Sequence, residues 1–201
     1  VIMNNKIKLL IFSFLLSVSY AQVLEVGDTI PSGLGAPVCA NIDPLYMPND
    51  SLYLDYYQGW RVTWIMFFTS WCPFCQDEAP LTQEVYEALQ DSGLIVIGAG
   101  ADWGQPDSCS EWVENYGITY PMLDGTDYAG TSWEDFGVSA IPHNVIIGAD
   151  GVVKYSVAGY NENSVLEAVM NALEECGDAC GCSDILGDLD GTYNSEGDPL
   201  I

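Results

Sequence analysis

The stretch "WIMFFTSWCPFCQDEAP", Trp64 to Pro80, constrains this chain more than any other. It opens inside "WRVTWIMFF" (Trp60 to Phe68), a nearly continuous run of β-branched and aromatic residues with the pattern of a strand buried on both faces. It closes inside "PFCQDEAPLTQEVYEAL" (Pro73 to Leu89), where Phe74, Leu81, Val85 and Leu89 recur at helical spacing and Pro73 suits a first-turn position. Cys72 and Cys75 therefore straddle a strand-to-helix junction. A thiolate at Cys72 would face unpaired backbone N–H groups and the positive end of the helix dipole, which lower a thiol pKa. Cys75, one turn into the helix, is placed to resolve a mixed disulfide formed at Cys72.

Two other uses of such a pair are weaker. A structural zinc site takes about four ligands. The chain has one His, and Cys176, Cys180 and Cys182 could contribute only if the C-terminal stretch folded back. A purely structural disulfide closing so short a loop gains little chain entropy. The expectation is a redox pair whose only cofactor is the Cys72–Cys75 disulfide itself.

Around this unit the chain alternates. "GLIVIGAGA" (Gly93 to Ala101) reads as a second buried strand, "SCSEWVENYG" as a short helix stopped by Gly117, and "ITYPML" as a short extended piece. After "GTSWEDFGV", strands at His143 to Ile147 and Val152 to Ala158 flank Asp150-Gly151, a strong hairpin signal. "NENSVLEAVMNALEEC" forms an amphipathic helix capped by Asn161 or Asn163. Residues 23–59, rich in Pro, Gly, Asn and Asp, hold one or two short strands. The order β-α-β-α-β-α-β-β-α predicts an α/β fold, a mixed central sheet with helices on both faces.

The ends are read separately. From Met3, "MNNKIKLLIFSFLLSVSYAQ" has Lys6 and Lys8, an apolar run and a small-x-small ending at Ser19 and Ala21, the layout of a secretory signal peptide cut after Ala21. Its apolar run, Ile7 to Val18, falls short of the roughly 20 residues that span a bilayer, so no stable membrane insertion is expected after cleavage. The organisation expected is a signal peptide at 1–21, one domain at 22–176 and a Gly/Asp/Cys-rich tail at 177–201. "DLDGTYNSEGD" in that tail does not match calcium-loop spacing. A secreted chain, periplasmic or extracellular, meets an oxidising compartment in which disulfides persist. Beyond the central pair, Cys39, Cys109, Cys176, Cys180 and Cys182 allow two disulfides and one free thiol, with the pairing open.

Of four basic residues, two lie in the signal segment, leaving Arg61 and Lys154 against 29 acids, a formal charge of about −27 with neutral His. Such a surface repels nucleic acid and anionic lipid, and suits cationic partners or a salty habitat.

The segment "WIMFFTSWCPFCQDEAPLTQEVYEAL" resembles the active-site segment of the thioredoxin superfamily, and the region from Val26 to Cys176 is similar to its TlpA/ResA-like branch, among the AhpC/TSA redoxins. "LIVIGAGAD", "YGITYPMLDG" with a buried Pro121, and "FGVSAIPHNVIIGADGVVKYSVAG" carry the likeness further. The resemblance implies a thioredoxin fold with an inserted helix-strand unit and an N-terminal extension. It implies that Cys72 attacks, Cys75 resolves, Trp71 shields them, and Pro73 and Phe74 tune the potential. A cis bond at Ile141-Pro142 would keep metal off the cysteines and leave the Ile141 backbone to pair with an extended substrate. Pro80 would match a kinking proline. Met66 stands where ordinary thioredoxins carry a buried Asp, and Glu78 occupies the acidic position of the TlpA/ResA-like branch, as a proton carrier for Cys75. The alternative for Glu78 is a solvated first-turn acid like Asp77. His143 stands where Thr is commoner and is expected to be a satisfied strand-start histidine.

The implied activity is thiol-disulfide exchange that reduces disulfide-containing protein substrates, fed by a membrane thiol-relay electron donor, in a process like cytochrome c maturation. A disulfide-forming oxidase, a peroxiredoxin-like peroxidase and a redox-inactive adaptor are the competing functions. The peroxidase is disfavoured because Arg61, the lone arginine, precedes the motif.

Overall fold

A computed structural model describes residues 23–42, 51–124 and 133–180. Seven strands form one mixed sheet: β1 (Gly35–Ala40), β2 (Ser51–Tyr53), β3 (Val62–Thr69), β4 (Leu94–Ala101), β5 (Met122–Asp124), β6 (His143–Ile147) and β7 (Val153–Ala158), in the order β2-β1-β5-β4-β3-β6-β7. β3 runs parallel to β4, and β4 to β5, while the other pairs are antiparallel. Among the described residues there are three α-helices, α1 (Pro73–Leu89), α2 (Cys109–Tyr116) and α3 (Glu162–Cys176).

β3 sits near the middle of the sheet and every one of its residues is buried, which is why its sequence runs apolar without alternation. Its side chains still alternate in direction. Trp64, Met66 and Phe68 join Cys72 and Cys75 in one core cluster, while Ile65 and Phe67 join the cluster on the opposite face. The buried apolar side chains of all three helices, including Ala79, Trp112, Val165 and Val169, belong to the cysteine-bearing cluster. Among the described residues the other face is covered instead by Ile30, the 3-10 turn Leu54–Tyr57, Trp133 and Phe136. The helix that the expected element order placed between β5 and β6 does not appear at residues 133–137, which form hydrogen-bonded turns closed by Gly137 N–H to Glu134 O and Val138 N–H to Trp133 O. Pro121 is buried, but of "ITYPML" only Met122 and Leu123 enter a strand, because β5 pairs over just three positions with β4.

The ends of the helices follow local chemistry. α2 starts with a reciprocal capping box, Ser108 accepting from Glu111 N–H while the Glu111 carboxylate accepts from Ser108 N–H, and stops at Gly117 in the left-handed region at φ +63°. Asn161 rather than Asn163 caps α3. The hairpin turn lies where Asp150-Gly151 predicts it: Gly151 N–H donates to Gly148 O, and Lys154 closes an ion pair to Asp150 at 2.9 Å.

Two disulfides lie outside the central pair. Cys39–Cys109 joins β1 to the first residue of α2, and Cys176–Cys180 closes the end of α3. Cys182, the expected signal segment at 1–21 and most of the expected tail lie outside the described residues.

Candidate active site

β3 delivers the chain to the C-terminal edge of the sheet, and the next turn is pinned on three sides. The Ser70 hydroxyl donates to Gln105 O at 2.8 Å, Gln76 Nε2 donates to Ser70 O at 2.8 Å, and Trp71 Nε1 donates to Asp102 Oδ2 at 3.1 Å. Asp102 is a non-glycine residue at φ +56°, beside β4. Cys72 then caps α1: its Sγ accepts from Cys75 N–H at 3.3 Å, and Pro73, which has no N–H to satisfy, takes the first helical position. Cys72 and Cys75 are joined as a disulfide with their Cα atoms 5.2 Å apart. In the reduced state the same N–H and the helix dipole would favour a Cys72 thiolate.

Cys72 is only 3% exposed and Cys75 fully buried, while Trp71 and Phe74 on either side are 52% and 73% exposed. The two aromatic residues thus form the outward rim of the pair. Ile141 and Pro142 are joined by a cis peptide; Ile141 packs against the cluster holding the cysteines, and Pro142 is buried with its carbonyl accepting from Gly159 N–H at 2.6 Å.

Helical spacing places Cys75, Glu78, Ala79 and Thr82 on the buried face of α1. Glu78 is 1% exposed, and neither carboxyl oxygen has a hydrogen-bond partner of ordinary geometry. Loss of hydration pushes its carboxyl up to about 8; the Asn144 carboxamide pulls it part of the way back. Asp77, its neighbour in sequence, is exposed. The buried location separates the two acids that sequence could separate only by spacing. Tyr160, whose hydroxyl is buried without a partner, is raised to about 12 by burial and by the Glu78 charge.

Asn144 is the residue that sequence reasoning missed. It lies fully buried in β6, accepts from Trp64 Nε1 at 2.7 Å and donates to Gly159 O at 3.3 Å. Gly159 thereby binds both Asn144 and the cis-proline loop. The available signal was a carboxamide inside "HNVII", a strand too apolar to hold one without partners. His143, next to the cis-proline, points its ring to the opposite face. Its ring meets Phe67 edge-on with centroids 6.2 Å apart, Nε2 lies 3.0 Å from Ser156 Oγ, and burial lowers its pKa.

A redox-capable pair at the N-terminus of the first long helix, a cis-proline just before β6 and a mixed central sheet together define a thioredoxin-fold protein. The AhpC/TSA family pattern matches residues 48–156, and the chain belongs to that family. It is 32% identical over 116 residues to the thiol:disulfide interchange protein CycY of Rhizobium leguminosarum bv. viciae, covering 57% of this chain and 60% of that protein. It is 25% identical over 159 residues to the thiol-disulfide oxidoreductase ResA of Geobacillus thermodenitrificans, covering 79% of this chain and 87% of ResA. The crystal structure of a thioredoxin-family thiol:disulfide interchange protein from Chlorobium tepidum superposes with a TM-score of 0.58 at 22% identity, over 74% of this chain and 98% of that one. The shared fold is that of thioredoxin-like proteins.

Proposed function

We propose that the protein is an extracytoplasmic thiol-disulfide oxidoreductase that reduces disulfides in other proteins. The observation that carries this reading is a buried Cys72–Cys75 disulfide at a helix N-terminus with a buried, unpaired carboxyl one turn further on. In the reduced protein the Cys72 thiolate attacks one sulfur of a partner disulfide, forming a Cys72–partner mixed disulfide and expelling the partner's other sulfur as thiolate. Cys75 passes its proton to the Glu78 carboxylate and attacks Cys72 Sγ. The Cys72–Cys75 disulfide re-forms and the partner's second thiolate leaves, so two electrons have moved to the partner. The two partner thiolates take up two protons, one of them returned from Glu78 directly or through water. A dithiol donor, of the kind a membrane thiol relay presents, then reduces the enzyme disulfide.

A carboxyl near 8 suits this exchange, because a general base works best with a pKa near the operating pH. The Ile141 backbone beside the cis-proline would pair with an extended substrate chain. An oxidising compartment is supported by the apolar N-terminal segment and by two further disulfides that have no part in the exchange.

Reduction of insulin disulfides by dithiothreitol should accelerate with catalytic amounts of this protein, and not with Cys72→Ser. Absence of acceleration would remove the reading. The direction of flow is tested by equilibrating Cys72/Cys75 with glutathione: a potential near about −270 mV supports a reductant, and one near about −120 mV makes the protein a disulfide-forming oxidase.

A further inference from the structure

Beside the cysteine pair lies a groove of about 380 Å³ lined by, among others, Thr69, Trp71, Trp133, Glu134, Val138 and Ile141. Its walls are mostly apolar, and two of them are indoles. Glu134, at its edge, is exposed and is the only ionisable side chain among the lining residues. At its base Thr69, the last residue of β3, is 2% exposed and its hydroxyl has no hydrogen-bond partner. A buried, unsatisfied hydroxyl is rare and costly.

The charge around this groove is of one sign. No Lys or Arg occurs between Lys8 and Arg61, between Arg61 and Lys154, or after Lys154. Arg61 precedes β3, one strand length of about 25 Å from Cys72. It is occupied there, donating to Gln90 O and lying 4.9 Å from the centre of the Trp60 ring. Lys154 follows Val153, which pairs with Ile147 and through it with Thr63 at that same far end, and it is held by Asp150 and Glu175. Around the cysteines stand Asp77, Asp102 and Glu134.

We infer that this groove receives a lysine or arginine side chain of the substrate protein, next to the cysteine that Cys72 attacks. The inference rests on the thiol-disulfide exchange proposed above and names the substrate class for it. The long aliphatic stem of such a residue lies along the indoles and Ile141, and its cationic head reaches Glu134. A neutral apolar side chain would fill the same walls and leave Glu134 without a partner. An acidic one would meet repulsion from Glu134 and from the field of the whole face.

The test compares three disulfide-linked peptides that differ only in carrying Arg, Gln or Glu beside the cysteine. The reduced protein is mixed with each, and its oxidation is followed by tryptophan fluorescence in stopped flow. The Arg peptide should react about tenfold faster than the Gln peptide at low ionic strength, and the Glu peptide more slowly still. In 0.5 M salt the long-range part is screened, since the Debye length falls below about 5 Å, and a smaller Arg preference from direct contact should persist. Glu134→Gln should abolish that residual preference, bringing the Arg and Gln peptides to equal rates in high salt. Equal rates for the three peptides, or an Arg preference that survives Glu134→Gln in high salt, overturn this assignment alone. No reaction with any peptide overturns the exchange reading and this assignment with it.

Discussion

Asn144 stands opposite Met66 in the β3–β6 ladder, and both side chains are fully buried. Met66 cannot move a proton, yet the carboxamide across from it reaches into the chamber of Glu78. The buried acid of this part of the core stands on helix α1, with Asn144 beside it. Replacing Asn144 by Ala should leave Trp64 Nε1 buried without an acceptor and cost about 2 kcal/mol. It should also raise the Glu78 pKa above about 8, because the group that pulls it down is gone. Denaturant midpoints read the first effect, and the pH dependence of Cys75 alkylation in the reduced protein reads the second. An unchanged alkylation profile would show that Asn144 serves packing alone.

Glu78 makes stability depend on pH in a defined direction. Its pKa in the folded protein, about 8, lies above the ordinary 4.5, so the folded state holds a proton that the unfolded state releases. The favourable contribution of the neutral buried carboxyl is complete below 4.5 and is lost as pH rises through 8. The full span corresponds to a loss on the order of 5 kcal/mol. Glu78→Gln, which cannot ionise, should unfold at nearly the same denaturant concentration as the parent at pH 4.5 and be clearly more stable at pH 8.5. An equal gap at both pH values would place the ionisation elsewhere.

Cys75→Ser should accumulate a stable mixed disulfide between Cys72 and substrate, since no second thiol is present to resolve it. Cys72→Ser should accumulate none, because Cys75 is fully buried behind the first sulfur. Non-reducing electrophoresis with a disulfide substrate distinguishes them. Trapping at Cys75 instead would reverse the two roles.

The disulfide between Cys39 and Cys109 spans 70 residues of sequence. A constraint of that length lowers the entropy of the unfolded chain enough to contribute about 4 kcal/mol. The double variant Cys39→Ser/Cys109→Ser should lose stability of that order in equilibrium unfolding. Its insulin-reduction rate at a temperature where it remains folded should stay near that of the parent.

What could be read from sequence tracks how local its cause is. The bounds of α1, Pro73 to Leu89, and of β6, His143 to Ile147, follow from local signals: Pro73 at the first helical turn, and Pro142 and the Asp150-Gly151 turn on either side of the strand. Glu78 was legible through the resemblance, whose acidic position it occupies one helical turn from Cys75. Asn144 was not, since its acceptor role depends on Trp64, which lies 80 positions away. The partner of Cys39 was equally hidden, because it depends on which strand and helix come together, whereas the Cys176–Cys180 bridge spans only four positions of sequence. The turns at 133–137 escaped for a related reason: "WEDFGV" has helix-compatible residues, but Gly137 at φ +58° ends any helix before a second turn.

The cysteines of this chain pair in nested fashion, 39 with 109 around 72 with 75. A polypeptide appears N-terminus first. Cys39 is therefore exposed to the two redox sulfurs well before Cys109 exists as an alternative. A chain oxidised in order of appearance would couple Cys39 to Cys72 and bury its own reagent in a dead-end crosslink. Reaching the native arrangement requires either that Cys39 wait or that the wrong bond be exchanged away. Biogenesis of the chain thus sets a thiol-exchange problem of the same chemical kind as the reaction proposed for the finished molecule.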